Sequence, residues 1–131
     1  MKVVIDTNVL VSSILNPNGN PAKIINLILE GSVTILYDNR LFEEYYQVLK
    51  RDKFGFTDDL INPLLDFIKN EGEYVNSTPL SISFTDEEDK KFYEVLISGK
   101  GEYLVTGNLT HFPNDKNILS PKDFLKELNV I

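Results

Sequence analysis

Short runs of consecutive apolar residues recur along the chain. Residues 3–5 and 103–105 are such runs, and residues 33–36 form another that is interrupted only by Thr34. Runs of this kind are typical of strands that are buried on both faces of a sheet. Weaker runs at residues 74–75 and 118–119 predict two further short strands. The pattern therefore predicts up to five strands, which are separated by longer segments.

In those longer segments, apolar residues recur three or four positions apart, which is the spacing of an amphipathic helix. The clearest sets are Leu41, Tyr45, Val48 and Leu49, and Phe92, Val95 and Leu96. The pattern predicts that helices connect the strands.

Polar residues and prolines indicate where the first helices begin. Thr7 or Asn8 is expected to cap the first helix. Asn20 is expected to cap the second helix, with Pro21 at the first helical position, and Gly31 is expected to end it. Residues 38–39, Asp-Asn, open the next helix.

Later helix boundaries are indicated in the same way. Thr57 is expected to cap a helix that contains Pro63, and this helix either kinks at the proline or begins later, at Asn62. Residues 85–88, Thr-Asp-Glu-Glu, have the spacing of a capping box. The helix that they open is expected to end near Gly99, because glycine commonly follows the last helical turn.

Strands that alternate with helices indicate a parallel sheet that is covered on both faces. We therefore predict an α/β fold, a three-layer α/β/α sandwich with a central, mainly parallel sheet, formed by residues 1–131 as a single domain. In such sheets, ligands bind at the carboxyl ends of the strands. A functional site is expected at that edge.

Several polar residues are placed to meet at this edge. Asp6 follows the first predicted strand, and Asn108 follows the strand at residues 103–105. Glu44 lies at the border of the apolar stripe of its helix, rather than on the solvent side. These three side chains are therefore expected to approach one another.

A further acid is contributed by the helix that opens at Thr85. Asp89 is expected one turn into this helix, where it can reach the same edge. Glu88 also flanks the apolar face, so the periodicity leaves the choice between the two acids open. Either residue also suits a helix start through the helix dipole, and Glu88 can serve the capping box alone.

Carboxylates that converge on one edge repel one another, and a divalent cation removes this cost. Mg²⁺ and Mn²⁺ prefer oxygen ligands and retain water molecules that can be deprotonated. The pattern therefore suggests metal-assisted hydrolysis of a phosphodiester. The alternative is that Asp6 is only a helix cap or a loop anion, and spacing alone leaves these two interpretations equally open.

Composition limits the function classes. The net charge of -7 has the wrong sign for a protein that holds nucleic acid by bulk electrostatics. It fits either a solubilising acidic surface or carboxylates that need a cation before phosphate can approach. The chain has no cysteine, which excludes disulfides and thiolate metal sites. With no signal peptide or membrane-length apolar segment in view, a cytoplasmic protein without membrane association is expected.

His111 is the single histidine of the chain. It lies in a predicted loop, where a solitary histidine is more often a structural or surface group than a catalyst. We therefore expect no catalytic role for it.

Four segments resemble the motifs of the PIN-domain family. Residues 3–10 (VVIDTNVL) resemble the opening of these proteins, and residues 43–49 (EEYYQVL) resemble their second acidic motif. Residues 89–92 (DKKF) resemble the third motif, and residues 103–108 (YLVTGN) the fourth. The segments occur in the family's order and cover nearly the whole chain. The likeness is strongest to toxin components of prokaryotic toxin–antitoxin systems.

The resemblance implies an endoribonuclease that uses Mg²⁺ or Mn²⁺. Asp6, Glu44 and Asp89 match the family's acidic positions, which selects Asp89 over Glu88. The resemblance further implies that Asp6 and Asp89 ligate the metal. It also implies a homodimer, and an antitoxin protein with a segment that covers the active site.

Smaller polar residues complete the implied site. Thr7, Asn8 and Thr106 match residues that flank such sites in the family, and they are candidates for contacts with substrate. Asn108 stands where many relatives carry aspartate. An asparagine can still coordinate a metal through its carbonyl oxygen, but without charge.

Two other functions compete with the nuclease. A PIN fold that binds RNA or a partner protein but cleaves poorly is modestly favoured by Asn108 and by the net charge of -7. A haloacid-dehalogenase-type phosphatase also places an aspartate after its first strand. That family typically has a second aspartate two residues later, where this chain has Asn8, so this alternative ranks low.

Overall fold

A computed structural model describes residues 1–131 and contains five strands and six α-helices. The strands are β1 (Lys2–Ile5), β2 (Thr34–Tyr37), β3 (Glu73–Tyr74), β4 (Tyr103–Val105) and β5 (Ile118–Leu119). The α-helices are α1 (Thr7–Leu15), α2 (Asn20–Leu29), α3 (Asn39–Leu49), α4 (Asp58–Glu71), α5 (Lys90–Ser98) and α6 (Pro121–Glu127). Short 3-10 turns span Asp52–Phe54, Glu87–Asp89 and Leu109–His111.

The five strands form one parallel sheet in the order β3-β2-β1-β4-β5. Strand β1 is therefore central, and its apolar residues Val3, Val4 and Ile5 are completely buried. The register pairs Ile5 with Val105. The carboxyl ends of β1 and β4 consequently lie side by side.

Helices cover the sheet. Helix α5 packs across β1, β2 and β4, α3 packs against β2 and α5, and α2 packs against α1 and α6. The buried apolar side chains form one connected core. The predicted α/β sandwich with a parallel sheet is confirmed. None of the helices is long and apolar enough to cross a membrane.

Several predicted helix boundaries are also confirmed. Asp38 caps α3, where its Oδ1 accepts a hydrogen bond from the amide of Leu41 at 3.0 Å. Gly31 follows the end of α2 with a φ of 82°, a conformation that favours glycine. Helix α5 ends at Ser98, immediately before Gly99.

Helix α4 begins directly after Thr57 and continues through Pro63 as one helix. The alternative start at Asn62 is therefore wrong. Proline lacks an N–H group, so Pro63 cannot bond to the carbonyl of Asp59, four residues earlier. The buried face of Ile61, Leu65 and Ile68 packs against the core and outweighs that loss.

Two predicted caps at the start of the chain are wrong by one residue. Thr7 is already helical, and Asp6 occupies the N-cap position of α1, although its side chain accepts no capping hydrogen bond. Asn20 is likewise the first residue of α2, and Gly19 occupies the cap position. The Asp6 carboxylate accepts a hydrogen bond from the Thr106 hydroxyl instead.

The predicted capping box at residues 85–88 is also displaced. Asp86 caps the turn instead of Thr85, and its Oδ1 accepts a hydrogen bond from the amide of Glu88 at 2.9 Å. The chain then makes the 3-10 turn Glu87–Asp89, and α5 begins only at Lys90. Asp89 therefore lies directly before the α-helix and not one turn inside it.

The segment after β3, residues 75–86, is fixed to α3 and α5 by polar contacts. Glu94 is 5% exposed, and its two oxygens accept hydrogen bonds from Arg40 Nη1 and from the Leu80 amide, each at 2.8 Å. Burial alone would raise the pKa of Glu94. The hydrogen bonds from Arg40 and Leu80, together with the Arg40 charge, outweigh burial and lower this pKa.

We expect Glu94→Gln to lower the free energy of unfolding by about 1–3 kcal/mol at neutral pH, because the amide must direct N–H towards one of the two donors. The pKa of Glu94 is lower in the folded chain than its usual 4.5. Its stabilisation is therefore present above pH 4.5 and is lost as the pH falls through the folded value. Urea unfolding at neutral and acidic pH measures this. A difference from the wild type that persists in acid contradicts the assignment.

Candidate active site

Asp6 lies at the carboxyl end of β1 and is 4% exposed. Its amide donates to the Val105 carbonyl at 3.0 Å, which extends the pairing of β1 and β4 by one residue. The hydroxyl of the fully buried Thr106 donates to Oδ2 of Asp6 at 2.7 Å. Adjacent strand ends therefore fix this carboxylate through backbone and side chain together.

Tyr45 fixes α3 against the end of β1. It is fully buried, and its hydroxyl donates to the carbonyl of Ile5 at 2.5 Å. Burial, followed by the nearby charges of Asp6 and Glu44, raises the pKa of Tyr45 well above its usual range. The phenol therefore stays a hydrogen-bond donor. This contact places the preceding residue, Glu44, at the same edge of the sheet.

Both carboxylate oxygens of Glu44 are engaged. The Thr7 hydroxyl donates to Oε2, and the Lys91 ammonium lies 2.7 Å from Oε1. Lys91 also contacts the backbone oxygen of Glu88 at 2.9 Å and its Oε2 at 3.3 Å. Burial alone would lower the pKa of Lys91, but its contacts with Glu44 and Glu88 raise it. The ammonium is therefore charged and holds Glu44 in place.

Asp89 approaches the same edge from the start of α5. Its Oδ2 lies 3.1 Å from Nδ1 of His111. Burial raises the pKa of Asp89, although the contact with His111 opposes this. Burial also raises the pKa of Asp6, and the charges of Asp89 and Glu44 raise it further. The three acids from β1, α3 and the turn before α5 are therefore close enough to repel one another.

The geometry distinguishes Asp89 from its neighbour Glu88. The Glu88 side chain is 85% exposed and contacts Lys91. The Asp89 side chain is 19% exposed and contacts His111. Asp89 is therefore the better placed of the two acids to act together with Asp6.

The other predicted site residues lie at the same edge, with different environments. Thr7 is buried, whereas Asn8 is exposed at the second position of α1. The backbone amide of Asn108 donates to the Thr106 hydroxyl at 3.0 Å. The Asn108 side chain does not cap the 3-10 turn that follows it. Thr106 thus links Asn108 to Asp6 through two successive hydrogen bonds.

No group of three aspartate, glutamate or histidine side chains lies closely enough to hold a metal ion jointly. The contacts of Glu44 supply a reason, because Thr7 and Lys91 occupy its oxygens. Asp6 and Asp89 have no ammonium partner. Mg²⁺ typically binds through one or two carboxylates and keeps several waters. The carboxylates of Asp6 and Asp89 offer only oxygen atoms as ligands, and such a pair fits Mg²⁺.

Two residues of this region were missed or undervalued by the sequence pattern. The position of Lys91, three residues after Glu88, is a helical pairing signal, but its contact with Glu44 depends on the packing of α3 against α5. His111 was predicted to be a structural or surface group. Its side chain is 46% exposed, but it contacts a candidate metal ligand, Asp89.

Comparison with known proteins gives a consistent assignment. Residues 2–110 match a family described as "PIN domain". The chain is also 31% identical, over 133 aligned positions, to the uncharacterized protein MJ1680 of Methanocaldococcus jannaschii. That alignment covers 99% of this chain and 81% of the relative.

We expect Asp6→Asn to raise the melting temperature of the metal-free protein by roughly 2–5 °C at neutral pH. The pKa of Asp6 is raised above its usual 3.8, so the ionised form costs stability in the folded chain. This cost is absent below pH 3.8 and develops as the pH rises through the folded pKa. The difference between the two proteins should therefore shrink in acid.

Thermal melts in chelator, at neutral and acidic pH, measure this effect. Asp66→Asn is the matched control, because Asp66 is exposed on α4 and the same change there leaves the site intact. If Asp6→Asn melts at or below the wild-type temperature at neutral pH, ionisation of Asp6 does not destabilise the folded chain and the prediction is wrong.

Proposed function

The chain belongs to the PIN-domain family, and on that premise we propose that it is a Mg²⁺- or Mn²⁺-dependent endoribonuclease that hydrolyses phosphodiester bonds in RNA. Members of this family are generally nucleases. The observation that carries the proposal is the buried Asp6 carboxylate at the carboxyl end of the central strand, within electrostatic reach of Asp89 and Glu44.

In this proposal, Asp6 and Asp89 hold the metal ion. When bound, the ion supplies polarisation of the phosphate and lowers the pKa of a water molecule. The hydrogen bond from Thr106 fixes the orientation of Asp6. The contact with His111 does the same for Asp89. Each proposed ligand is thus oriented by a residue that does not itself bind the metal ion, which is a usual feature of metal sites.

Glu44 has a separate role in the proposal. Its carboxylate is held by one partner on each oxygen, Thr7 and Lys91, and a remaining lone pair orients the attacking water next to the metal ligands. Lys91 is charged and neutralises part of the acidic edge, which eases the approach of a phosphate. Asn8, exposed at the second position of α1, is the candidate for contact with the substrate backbone. Thr7 and Thr106 are buried, so they act through Glu44 and Asp6, to which their hydroxyls donate.

We also infer a biological role. The motif resemblance favours the toxin of a prokaryotic toxin–antitoxin system that acts in the cytoplasm. A protein antitoxin then covers the acidic edge, and the toxin forms a homodimer. These statements rest on the family and on the motifs at residues 3–10 and 103–108.

The central test is metal-dependent cleavage of single-stranded RNA by the purified protein. We expect cleavage in Mg²⁺ or Mn²⁺ but not in chelator. Asp6→Asn and Asp89→Asn should each reduce the cleavage rate by roughly 100-fold or more. Each change removes a negative charge that holds the metal ion in the proposed site. Asp66→Asn should cleave like the wild type, because Asp66 is exposed on α4.

A melting curve gives a second readout that does not depend on activity. An ion that binds only the folded chain stabilises it by about 2.7 kcal/mol at 100 times its dissociation constant. Mn²⁺ should therefore raise the wild-type melting temperature and leave Asp6→Asn nearly unchanged. If Mn²⁺ neither shifts the melt nor supports cleavage, the chain is a PIN fold without this nuclease activity.

Asn108 gives a prediction about metal affinity. If its side chain faces the metal, Asn108→Asp adds a carboxylate to the site and should tighten Mn²⁺ binding, because attraction to the cation increases with ligand charge. Cleavage at limiting metal should rise in parallel. Calorimetric titration of Mn²⁺ into both proteins measures the affinity. Equal or weaker binding by the aspartate variant would place Asn108 outside the metal's reach, as a turn residue.

A further inference from the structure

A groove of about 490 Å³ lies beside the candidate active site. Residues 82–85 form one side, residues 110–113 form the other, and Tyr93 of α5 also lines it. His111 belongs to the wall of this groove and contacts Oδ2 of Asp89 at 3.1 Å. The groove is therefore continuous with the acidic edge of the sheet.

Aromatic side chains form much of the lining. The Phe84 ring centroid lies 5.8 Å from that of Tyr93 and 6.0 Å from that of Phe112. Phe112 is buried and anchors this set, whereas Phe84 and Tyr93 are only partly buried. Ser83 and Thr110 add hydroxyl groups to the lining. The groove thus offers ring surfaces together with hydrogen-bonding groups.

The lining of this groove differs in charge from the acidic edge beside it. The chain contains 20 acidic residues and has a net charge of -7. No aspartate, glutamate, lysine or arginine lines the groove. Without a lysine or arginine, the lining does not attract phosphate. Its lack of charge suits a neutral ligand. Its volume also lies in the roughly 300–1,000 Å³ range of small-ligand sites.

We propose that this groove binds one unpaired nucleobase of the RNA substrate, adjacent to the phosphate that the acidic edge receives. A base is flat, neutral and edged with hydrogen-bonding groups, which matches rings, hydroxyls and the absence of charge. Stacking of bases on aromatic side chains is a common mode of single-strand recognition. The inference rests on the proposed ribonuclease function and adds a subsite that selects unpaired RNA.

The test uses a short single-stranded RNA that carries 2-aminopurine, an adenine analogue whose fluorescence is quenched on stacking. Glu44→Gln serves as the background for every protein, because it removes the residue proposed to orient the water and leaves the proposed metal ligands Asp6 and Asp89 intact, so that the RNA is bound without being cleaved. In this background, Tyr93→Leu should weaken binding roughly 5- to 100-fold and restore fluorescence, because the change removes a stacking surface.

Two further variants make the result specific. Thr110→Met adds bulk without a ring from an exposed position on the groove, so it blocks the site without cutting into the core and without adding a stacking surface. It should abolish quenching even if Tyr93→Leu proves unstable. Tyr46→Leu is the matched control, because Tyr46 is 47% exposed on α3 and lies outside the groove. It should bind and quench like the background protein.

The outcomes separate the groove from the nuclease. Quenching that survives both groove variants, or that Tyr46→Leu reduces equally, overturns the base subsite. Equal quenching of a fully paired duplex with the same analogue also overturns it. If the wild type cleaves RNA in Mn²⁺ in these cases, the ribonuclease proposal stands alone. If no RNA is bound and none is cleaved, both proposals fail.

Discussion

The negative charge of Asp6 at the end of a fully buried central strand is the constraint on which the site depends. Strand β1 is flanked by β2 and β4 and covered by helices, so the residue that ends it has little access to water. Desolvation of a carboxylate is costly unless hydrogen bonds or opposite charge replace the lost water. Thr106 supplies one such bond, yet the pKa of Asp6 remains raised. The geometry thus maintains an anion that is only partly compensated.

The chain compensates the other two acids more fully. Glu44 is paired with Lys91, and Asp89 contacts His111. Asp6, the most buried of the three, has neither a lysine nor a histidine beside it. Asp6 is therefore the one acid of the three with no cationic side chain as a partner, and the proposed metal ion would take that place.

The sequence was sufficient to predict the architecture and the edge of the sheet that Asp6, Glu44 and Asp89 approach, whereas the roles of these residues stay a prediction. Apolar runs located the parallel strands, because a strand buried on both faces has no polar alternation. The phosphatase alternative was wrong, since the chain belongs to the PIN-domain family. Errors were concentrated at helix starts, as at Thr85, because adjacent polar residues can each cap the same turn and local spacing does not choose among them. Because Asp86 caps a 3-10 turn in the structure, Asp89 lies in that turn and α5 begins only at Lys90.

The contacts of Lys91 and His111 could not be predicted, because they join segments that are distant in the chain. Helical spacing relates Lys91 to Glu88, but only the packing of α3 and α5 brings it to Glu44. His111 reaches Asp89 because the Leu109–His111 turn follows β4, which ends next to β1. A single sequence contains no periodic signal for contacts of this kind.

The net charge of -7 restricts how RNA can bind to such a site. Proteins that neutralise many phosphates gain affinity through the release of counterions, and an acidic chain gains little from this source. In the proposed ribonuclease, binding must therefore come from local features: a metal ion held by Asp6 and Asp89, the charged Lys91 beside them, and contacts with uncharged parts of the nucleotide. Base stacking is of the last kind and depends on a π-face rather than on charge. An uncharged aromatic groove next to the proposed metal site is a physically consistent combination, because each part would bind the portion of a nucleotide that the other cannot.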